Sequence, residues 1–135
     1  MASANLDLVH SIVAAWERGD FGSADWAHPE IEYVIDGGPE PGSWTGLAGM
    51  AAGARGILDA WEELRVEADE YRELDAARVL VFARLTGRGR TSGMGVGLLR
   101  ITGTFLFHVH DGQVTRHVVY WDRERALADL GLSSP

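Results

Sequence analysis

The chain has 135 residues, of which 46% are hydrophobic and 24% are charged, and its formal net charge at pH 7 is -8. This length and composition predict a single folded domain. The acidic balance argues against nucleic acid or an anionic membrane surface as a partner, because both require clustered cations. All 12 basic residues are arginines and cysteine is absent, which excludes lysine Schiff bases, lysine-anchored pyridoxal phosphate, thiol nucleophiles and disulfides.

The sequence carries no recognisable signal for export or membrane insertion. Residues Met1 to Asp7 lack the basic segment and apolar core of a secretory signal. No stretch approaches the roughly 20 apolar residues that a membrane-spanning helix needs. We therefore expect a cytoplasmic protein without a membrane partner.

The first half of the chain predicts mainly helices. Apolar residues recur at three- and four-residue spacing from Asn5 to Arg18, and Asn5 or Asp7 is placed to cap this helix. The other elements predicted in this half are a short helix over Ser23–Trp26, a strand over Ile31–Asp36, a glycine- and proline-rich loop over Gly37–Gly42, and a second long helix over Leu47–Leu64.

The second half predicts an antiparallel sheet closed by a helix. The predicted strands are Arg65–Glu73, Arg78–Thr86, Gly95–His110 and Gln113–Trp121, with a turn over Gly87–Gly93 and a last helix over Arg123–Leu130, between Asp122 and Gly131. This order predicts the α+β class, with the helices all lying on one face of an antiparallel sheet. A strongly curved sheet wrapped around a long helix forms a cone, and the mouth of such a cone suits a small molecule.

Several segments, taken in order, resemble the nuclear transport factor 2-like superfamily, which includes SnoaL-like and ketosteroid-isomerase-like domains. The segments that carry the resemblance are Ala14–Phe21, His28–Ile31, Thr91–Gly93, Val109–Val114, Tyr120–Leu127 and Leu130–Leu132. The resemblance implies a single domain over residues 1–135, a cone-shaped α+β roll, a dimer, and an apolar cavity between sheet and helices. It does not imply one reaction, because this fold hosts many chemistries.

The functional residues of the isomerases are not retained. By the resemblance, the phenolic donor, the catalytic base and the second acid of those enzymes fall at Ile12, Ile35 and Phe105. Polyketide cyclases of this kind use groups from the late strands, where His117 is suitably placed. The related small epoxide hydrolases use two acids bridged by an arginine, and Arg84 is a candidate for that arginine, without two inward acids that can be placed near it.

The predicted last hairpin determines which side chains face the cavity. A three-residue loop over His110–Gly112 pairs Val109 with Gln113 and places Phe105 and Phe107 on the same face as His117, with Val114 on the opposite face. A two-residue loop would reverse the faces. The residues that we expect to line the site, beside His117 as the proton-transfer group, are Trp16, Tyr33, Trp61, Phe105, Phe107, Val119 and Trp121.

Each of these residues also has a purely structural interpretation. His117 is about equally well explained as a hydrogen-bonded core histidine, and the Tyr33 ring as a packing element with a backbone-bonded hydroxyl. At least one of the tryptophans is more simply explained by core packing, and Trp26 and Trp44 suit the rim of the cavity.

No metal or other cofactor is predicted. His108 and His110 have the spacing that brings two imidazoles to one side of a strand, but a third ligand is missing. The glycines between residues 87 and 103 do not form a phosphate loop, because no helix follows them.

The sequence therefore favours a protein that binds a small apolar molecule. The leading hypothesis is acid–base chemistry, as in an isomerase, cyclase or hydrolase acting on an apolar, oxygen-bearing substrate. The alternative is a non-catalytic ligand-binding or dimerisation module of the same fold. We also expect a homodimer that buries the sheet face bearing Leu106, Val118 and Tyr120, since that face is too apolar to be left in water.

Overall fold

The computed structural model describes residues 3–21, 24–37, 41–89 and 98–132. For residues 57–62, 88–89 and 98–101 it describes the backbone but not the side chains. These ranges contain three helices and six strands. They are α1 Ala4–Glu17, β1 Ala27–Asp36, β2 Gly42–Thr45, α2 Gly46–Ala60, β3 Trp61–Glu73, β4 Arg78–Gly89, β5 Leu98–His110, β6 Gln113–Tyr120 and α3 Arg123–Asp129. None of these helices is long and apolar enough to cross a bilayer.

The local sequence explains where α1 and α3 begin. The side chain of Ser3, rather than that of Asn5 or Asp7, caps α1 by accepting a hydrogen bond from the Leu6 backbone N–H at 3.0 Å. Asp122 caps α3 as predicted, with its carboxylate accepting from the Glu124 N–H at 3.0 Å. Both helices thus begin directly after a residue whose side chain accepts a hydrogen bond from the first turn.

The strands form one curved six-stranded sheet in the order β2-β1-β6-β5-β4-β3. The four strands β3 to β6 pair antiparallel, as predicted, and β1 joins β6 in parallel. The parallel pair brings Tyr33 of β1 beside His117 of β6. The predicted α+β class is confirmed, with a mixed rather than a purely antiparallel sheet.

Two predicted helices differ from the structure: one is shorter than predicted, and the other is absent from its described residues. The second long helix stops at Ala60 instead of Leu64, and Trp61 begins β3 by pairing with Gly89. Sheet pairing here overrides the helical spacing of the apolar residues. The short helix predicted over Ser23–Trp26 is a turn in its described part, and β1 already begins at Ala27.

The β5–β6 hairpin has a two-residue loop, not the predicted three-residue one. His110 pairs with Gln113 across Asp111 and Gly112, whose φ values of 50° and 77° fit a tight hairpin turn. Such a loop alone would reverse the faces, but a β-bulge follows it: Val109 pairs with Val114 and His108 with Arg116, which leaves Thr115 as the extra residue.

The bulge restores the predicted face of His117. Beyond it, Phe107 pairs with His117 and Phe105 with Val119, so these side chains share one face of the sheet. Val114, predicted on the opposite face, packs on this one instead, because it lies on the turn side of the bulge.

Helices cover both faces of the sheet. The inner face, as we call the one covered by α1 and α2, carries the larger apolar cluster, which includes Val9 and Val13 of α1 and Met50 of α2. The outer face carries a smaller cluster, in which α3 contributes Ala126 and Leu127. The prediction that all helices lie on one side of the sheet is therefore wrong for α3.

The outer cluster changes the expectation about assembly. Leu106, Val118 and Tyr120 are buried within a single chain, under α3, and the Tyr120 hydroxyl donates a hydrogen bond to Asp129 of that helix at 2.6 Å. The apolar patch that motivated the predicted dimer interface is thus already covered. A homodimer remains a prediction, without this face as its evidence.

Candidate functional site

His117 is enclosed by aromatic rings on the inner face. Its own strand pairing places it between Tyr33 of β1 and Phe107 of β5, and its side chain is 2% exposed. The rings around the imidazole, with the distances between ring centroids, are Phe107 at 4.4 Å, Tyr33 at 5.5 Å, Trp16 at 5.6 Å, Phe105 at 5.9 Å and Trp26 at 6.4 Å. We call these six residues the aromatic cluster.

Three layers of the fold build the aromatic cluster. Alternation along β5 and β6 turns Phe105, Phe107 and His117 to the inner face. Trp16 reaches them from the last turn of α1 and packs edge-on to Phe105 at 5.5 Å. Trp26 lies in the turn before β1, where its carbonyl accepts a hydrogen bond from the Val114 N–H at 2.9 Å. Strands, a helix and a turn thus converge on one imidazole.

The hydrogen bond of His117 determines which nitrogen is basic. Nδ1 lies 3.2 Å from the carbonyl oxygen of Leu106. A carbonyl can only accept, so in the neutral ring the proton sits on Nδ1 and the lone pair on Nε2. The imidazole therefore offers one acceptor site, Nε2.

Burial also determines the charge of this imidazole. It lowers the pKa of His117 to about 4, against the smaller raising effect of the hydrogen bond to Leu106. Apart from tyrosines, Thr104 and His117 are the only polar or charged residues that are buried within the described ranges, so no described carboxylate is buried beside the ring. His117 is neutral at pH 7, in the direction expected from desolvation.

Tyr33 is the second polar group of the cluster. Its ring is 5% exposed and tilted by 32° to the imidazole, and burial raises the pKa of its hydroxyl to about 12. The hydroxyl has no hydrogen-bond partner among the described residues. It is therefore protonated at neutral pH and can donate to a ligand oxygen.

The remaining predicted lining residues divide into two groups. Val119 is buried in the inner cluster and Trp121 packs against it, so both lie on the predicted face. The side chain of Trp61 lies outside the described residues. Sequence reasoning placed Trp26 and Trp44 only at the rim, whereas Trp26 contacts His117 edge-on and Trp44 lies 5.9 Å from the Tyr33 ring.

The positions aligned with isomerase residues lie on the same face but carry no polar chemistry. Ile12, Ile35 and Phe105 are all buried in the inner cluster. Asp36, one residue after Ile35, takes part in an ion pair with Arg125 of α3 at 2.7 Å. The Asp36 carboxylate is thus paired with α3, which packs on the opposite face of the sheet from His117.

Arg84 does lie between two acids, but not in the aromatic cluster. Its guanidinium contacts Asp69 at 2.9 Å and Glu67 at 3.1 Å, an arrangement that the sequence did not reveal. The side chain of Arg84 is 57% exposed, and Glu67 and Arg84 face away from their inner-face neighbours Val66 and Leu85. This arrangement is therefore a surface ion-pair network.

The histidines considered for metal binding are on the periphery. Burial and the guanidiniums of Arg116 and Arg78 lower the pKa of His108, and the His110 ring is highly exposed and contacts Asp111 at 3.2 Å. Within the ranges that the structure describes, no three histidine or acidic side chains converge as metal ligands do. The absence of a metal remains a prediction.

Comparison with known proteins identifies a domain family and a fold. The model of the SnoaL-like domain matches residues 9–117. A search of curated proteins finds no match. Among solved structures, an NTF2-like protein of unknown function from Burkholderia pseudomallei is 17% identical, with 94% of this chain and 97% of that chain covered and a TM-score of 0.76.

Two further solved structures have names that refer to small molecules. TerC, co-crystallised with polyporic acid, is 21% identical over 95% of this chain and 98% of its own, with a TM-score of 0.74. A protein from Jannaschia, named for its likeness to SnoaL-like polyketide cyclases, is 19% identical over 98% and 93% of the two chains, with a TM-score of 0.73. At such identities the likeness establishes the fold.

Proposed function

The chain belongs to the family of SnoaL-like domains, and on that premise we propose that it binds a neutral, apolar molecule bearing a carbonyl group at the aromatic cluster and transfers a proton on it. The observation that carries the proposal is the neutral imidazole of His117, whose Nε2 is an acceptor surrounded by five aromatic rings. TerC, a protein of the same fold that was co-crystallised with polyporic acid, adds support for a small-molecule ligand.

The proposed step uses the two polar groups of the cluster. Nε2 of His117 takes the proton of a C–H bond next to the carbonyl, and the C–H electron pair moves into the carbon–oxygen system to give an enolate. The Tyr33 hydroxyl donates a hydrogen bond to the oxygen on which the negative charge develops. The imidazolium then returns the proton to another carbon or to oxygen, which completes an isomerisation or prepares a ring closure.

The pKa of His117 limits which substrates suit this step. A base whose pKa is about 4 is weak, so it needs a proton that is already activated. A carbon between two carbonyls, or between a carbonyl and an aromatic ring, carries such a proton. Flat molecules of this kind also match the aromatic walls, because ring stacking contributes to binding without any charge.

A second function, ligand binding without catalysis, is favoured by one specific observation. No carboxylate is buried beside His117 in the described ranges, so the described residues supply no buried counter-ion for the imidazolium formed by proton transfer. In that case Nε2 and the Tyr33 hydroxyl act only as an acceptor and a donor that orient a bound ligand. A homodimer and a cytoplasmic location remain predictions for either function.

Hydrogen–deuterium exchange separates the two functions. A panel of neutral aryl ketones and 1,3-diketones is incubated with the protein in D2O, and loss of the α-proton signal is followed by NMR against a protein-free blank. Binding is measured in parallel by the change in tryptophan fluorescence. The variants are His117→Gln and Tyr33→Phe, and the matched control is His110→Gln, which replaces an exposed histidine.

We expect His117→Gln to slow catalysed exchange by on the order of 10²-fold or more while ligand binding persists, the usual scale for a general base. Tyr33→Phe should slow exchange as well, and His110→Gln should leave it unchanged. Because the base must be neutral, the rate of catalysed exchange should fall as the pH drops through about 4. Undiminished exchange by folded His117→Gln would contradict the catalytic proposal, and binding without exchange would establish the ligand-binding function instead.

A further inference from the structure

Three glycines lie against Trp44, on the far side of Tyr33 from His117. A Cβ placed on Gly53 would lie 2.8 Å from both Cδ2 and Cε3 of the indole and 3.0 Å from Cδ2 of Tyr33. A Cβ on Gly42 would lie 3.0 Å from Cη2 of the same indole, and one on Gly49 would lie 3.2 Å from its Cβ. Of these three glycines, Gly53 is the one whose missing side chain also makes room for Tyr33.

The position of Gly53 in α2 indicates that its neighbours, rather than its backbone conformation, require a glycine there. Gly53 is buried in the middle of the helix, where glycine weakens helix formation relative to alanine. Its φ is not in the left-handed region, so the backbone conformation does not require glycine there. The close approach of the two rings is therefore the physical reason for a glycine at this position.

Within the described part of the chain, the orientation of Tyr33 depends on packing alone. Its hydroxyl has no hydrogen-bond partner in the described part of the chain, so no polar contact there holds the ring. The imidazole of His117 lies 5.5 Å away on one side, and the indole of Trp44 lies 5.9 Å away on the other. Whatever moves Trp44 or fills the space at Gly53 must therefore change where the hydroxyl points.

We propose that Gly53 is a positioning residue that acts through Tyr33. By leaving room for Trp44 and Tyr33 under α2, it sets the direction of the Tyr33 hydroxyl relative to Nε2 of His117, and with it the place where a ligand oxygen binds. The consequence for ligands rests on the proposed function, whereas the positioning of the ring does not.

The test compares two glycine-to-alanine substitutions in the same helix. Gly53→Ala places a methyl group against both Trp44 and Tyr33, while Gly49→Ala places one against Trp44 only. Both gain the same helix propensity, so helix strength cancels between them. The readout is the NMR signals of the Tyr33 ring and of the His117 imidazole, which sense the ring currents of their neighbours and require no substrate.

We expect Gly53→Ala to shift the signals of both Tyr33 and His117, and Gly49→Ala to shift mainly those of Trp44. With a substrate found by the exchange screen, Gly53→Ala should lower kcat by on the order of 10²-fold, the cost of a misplaced group, with KM changed less. Unchanged Tyr33 and His117 signals in folded Gly53→Ala would overturn the proposal, as would equal shifts in the two alanine variants.

A second variant keeps the test decisive if Gly53→Ala does not fold. Trp44→Phe removes the outer ring of the indole without adding any atom next to Gly53, so it withdraws the wall behind Tyr33. The proposal requires the Tyr33 and His117 signals to shift in this variant, and unchanged signals would overturn it. Signals that shift while no ketone is exchanged would uphold the positioning role and reject the catalytic function, so the two failures are distinguishable.

Discussion

Acid should destabilise the protein through His117, because the folded chain holds this imidazole neutral. Burial lowers its pKa from 6.5 to about 4. Between these two values the unfolded chain binds a proton that the folded chain does not, so the free energy of unfolding falls as the pH falls through this window. The contribution of His117 is fully present above pH 6.5 and is lost progressively toward pH 4.

The size of the effect follows from the pKa shift. Each pKa unit corresponds to about 1.36 kcal/mol, so the shift is equivalent to roughly 3 kcal/mol, most of which is lost by pH 4.5. The imidazole is almost completely buried, so solvent screening does not reduce this figure. A loss of that size is a large fraction of the 5 to 15 kcal/mol, roughly, that stabilise a typical domain.

Urea denaturation at pH 7.5 and pH 4.5 measures this loss. The wild type should lose roughly 2 to 3 kcal/mol more between the two pH values than His117→Gln does, since the other titrating groups are common to both proteins. His110→Gln, which removes an exposed histidine, should behave like the wild type. Equal losses in wild type and His117→Gln, or an NMR titration of His117 with a midpoint near 6.5, would refute the reasoning.

Two further predictions concern the outer face and the last hairpin. Leu127→Ala should reduce the free energy of unfolding by roughly 2 to 5 kcal/mol, because Leu127 is buried between α3 and the sheet. The control is Leu47→Ala, at a position that is 41% exposed, which should change the free energy of unfolding by less than about 0.5 kcal/mol. Equal urea midpoints for these two variants would argue against α3 as part of the core. Gly112→Ala should cost roughly 1 to 2 kcal/mol, because its φ of 77° is unfavourable for any side chain, and an unchanged melting temperature would contradict the turn geometry.

The aromatic cluster was predictable to the extent that it depends on strand alternation. Phe105, Phe107 and His117 were placed on one face from a period of two, and Tyr33 from its position in the first strand. The contacts of Trp26 and Trp44 were not predictable, because both tryptophans lie beside short or irregular segments with no periodicity to follow. Trp26 meets His117 from a strand far along the chain, and Trp44 meets Tyr33 across the β1–β2 pair.

Position 117 shows how a correct prediction can rest on an incorrect detail. The sequence indicated a three-residue turn and hence the inner face for His117, whereas the structure has a two-residue turn followed by a bulge at Thr115. Each of the two features shifts the register by one residue in the same direction, and a total shift of two residues restores the predicted face of every residue beyond the bulge. Val114, on the turn side of the bulge, keeps the uncorrected register and lies on the other face than predicted.

By itself the sequence determined the α+β class, the helix α1, the cap of α3, the four antiparallel strands and the neutral, acid-free surroundings of a late-strand histidine. Those features depend on local periodicity, on capping residues and on composition, all of which are written in neighbouring residues. Only the tertiary structure decided the parallel pairing of β1 with β6, the end of α2 at Ala60 and the placement of α3 on the outer face. Each of these depends on the free energy of burying apolar surface and pairing backbone groups between segments distant in sequence, which no local pattern encodes.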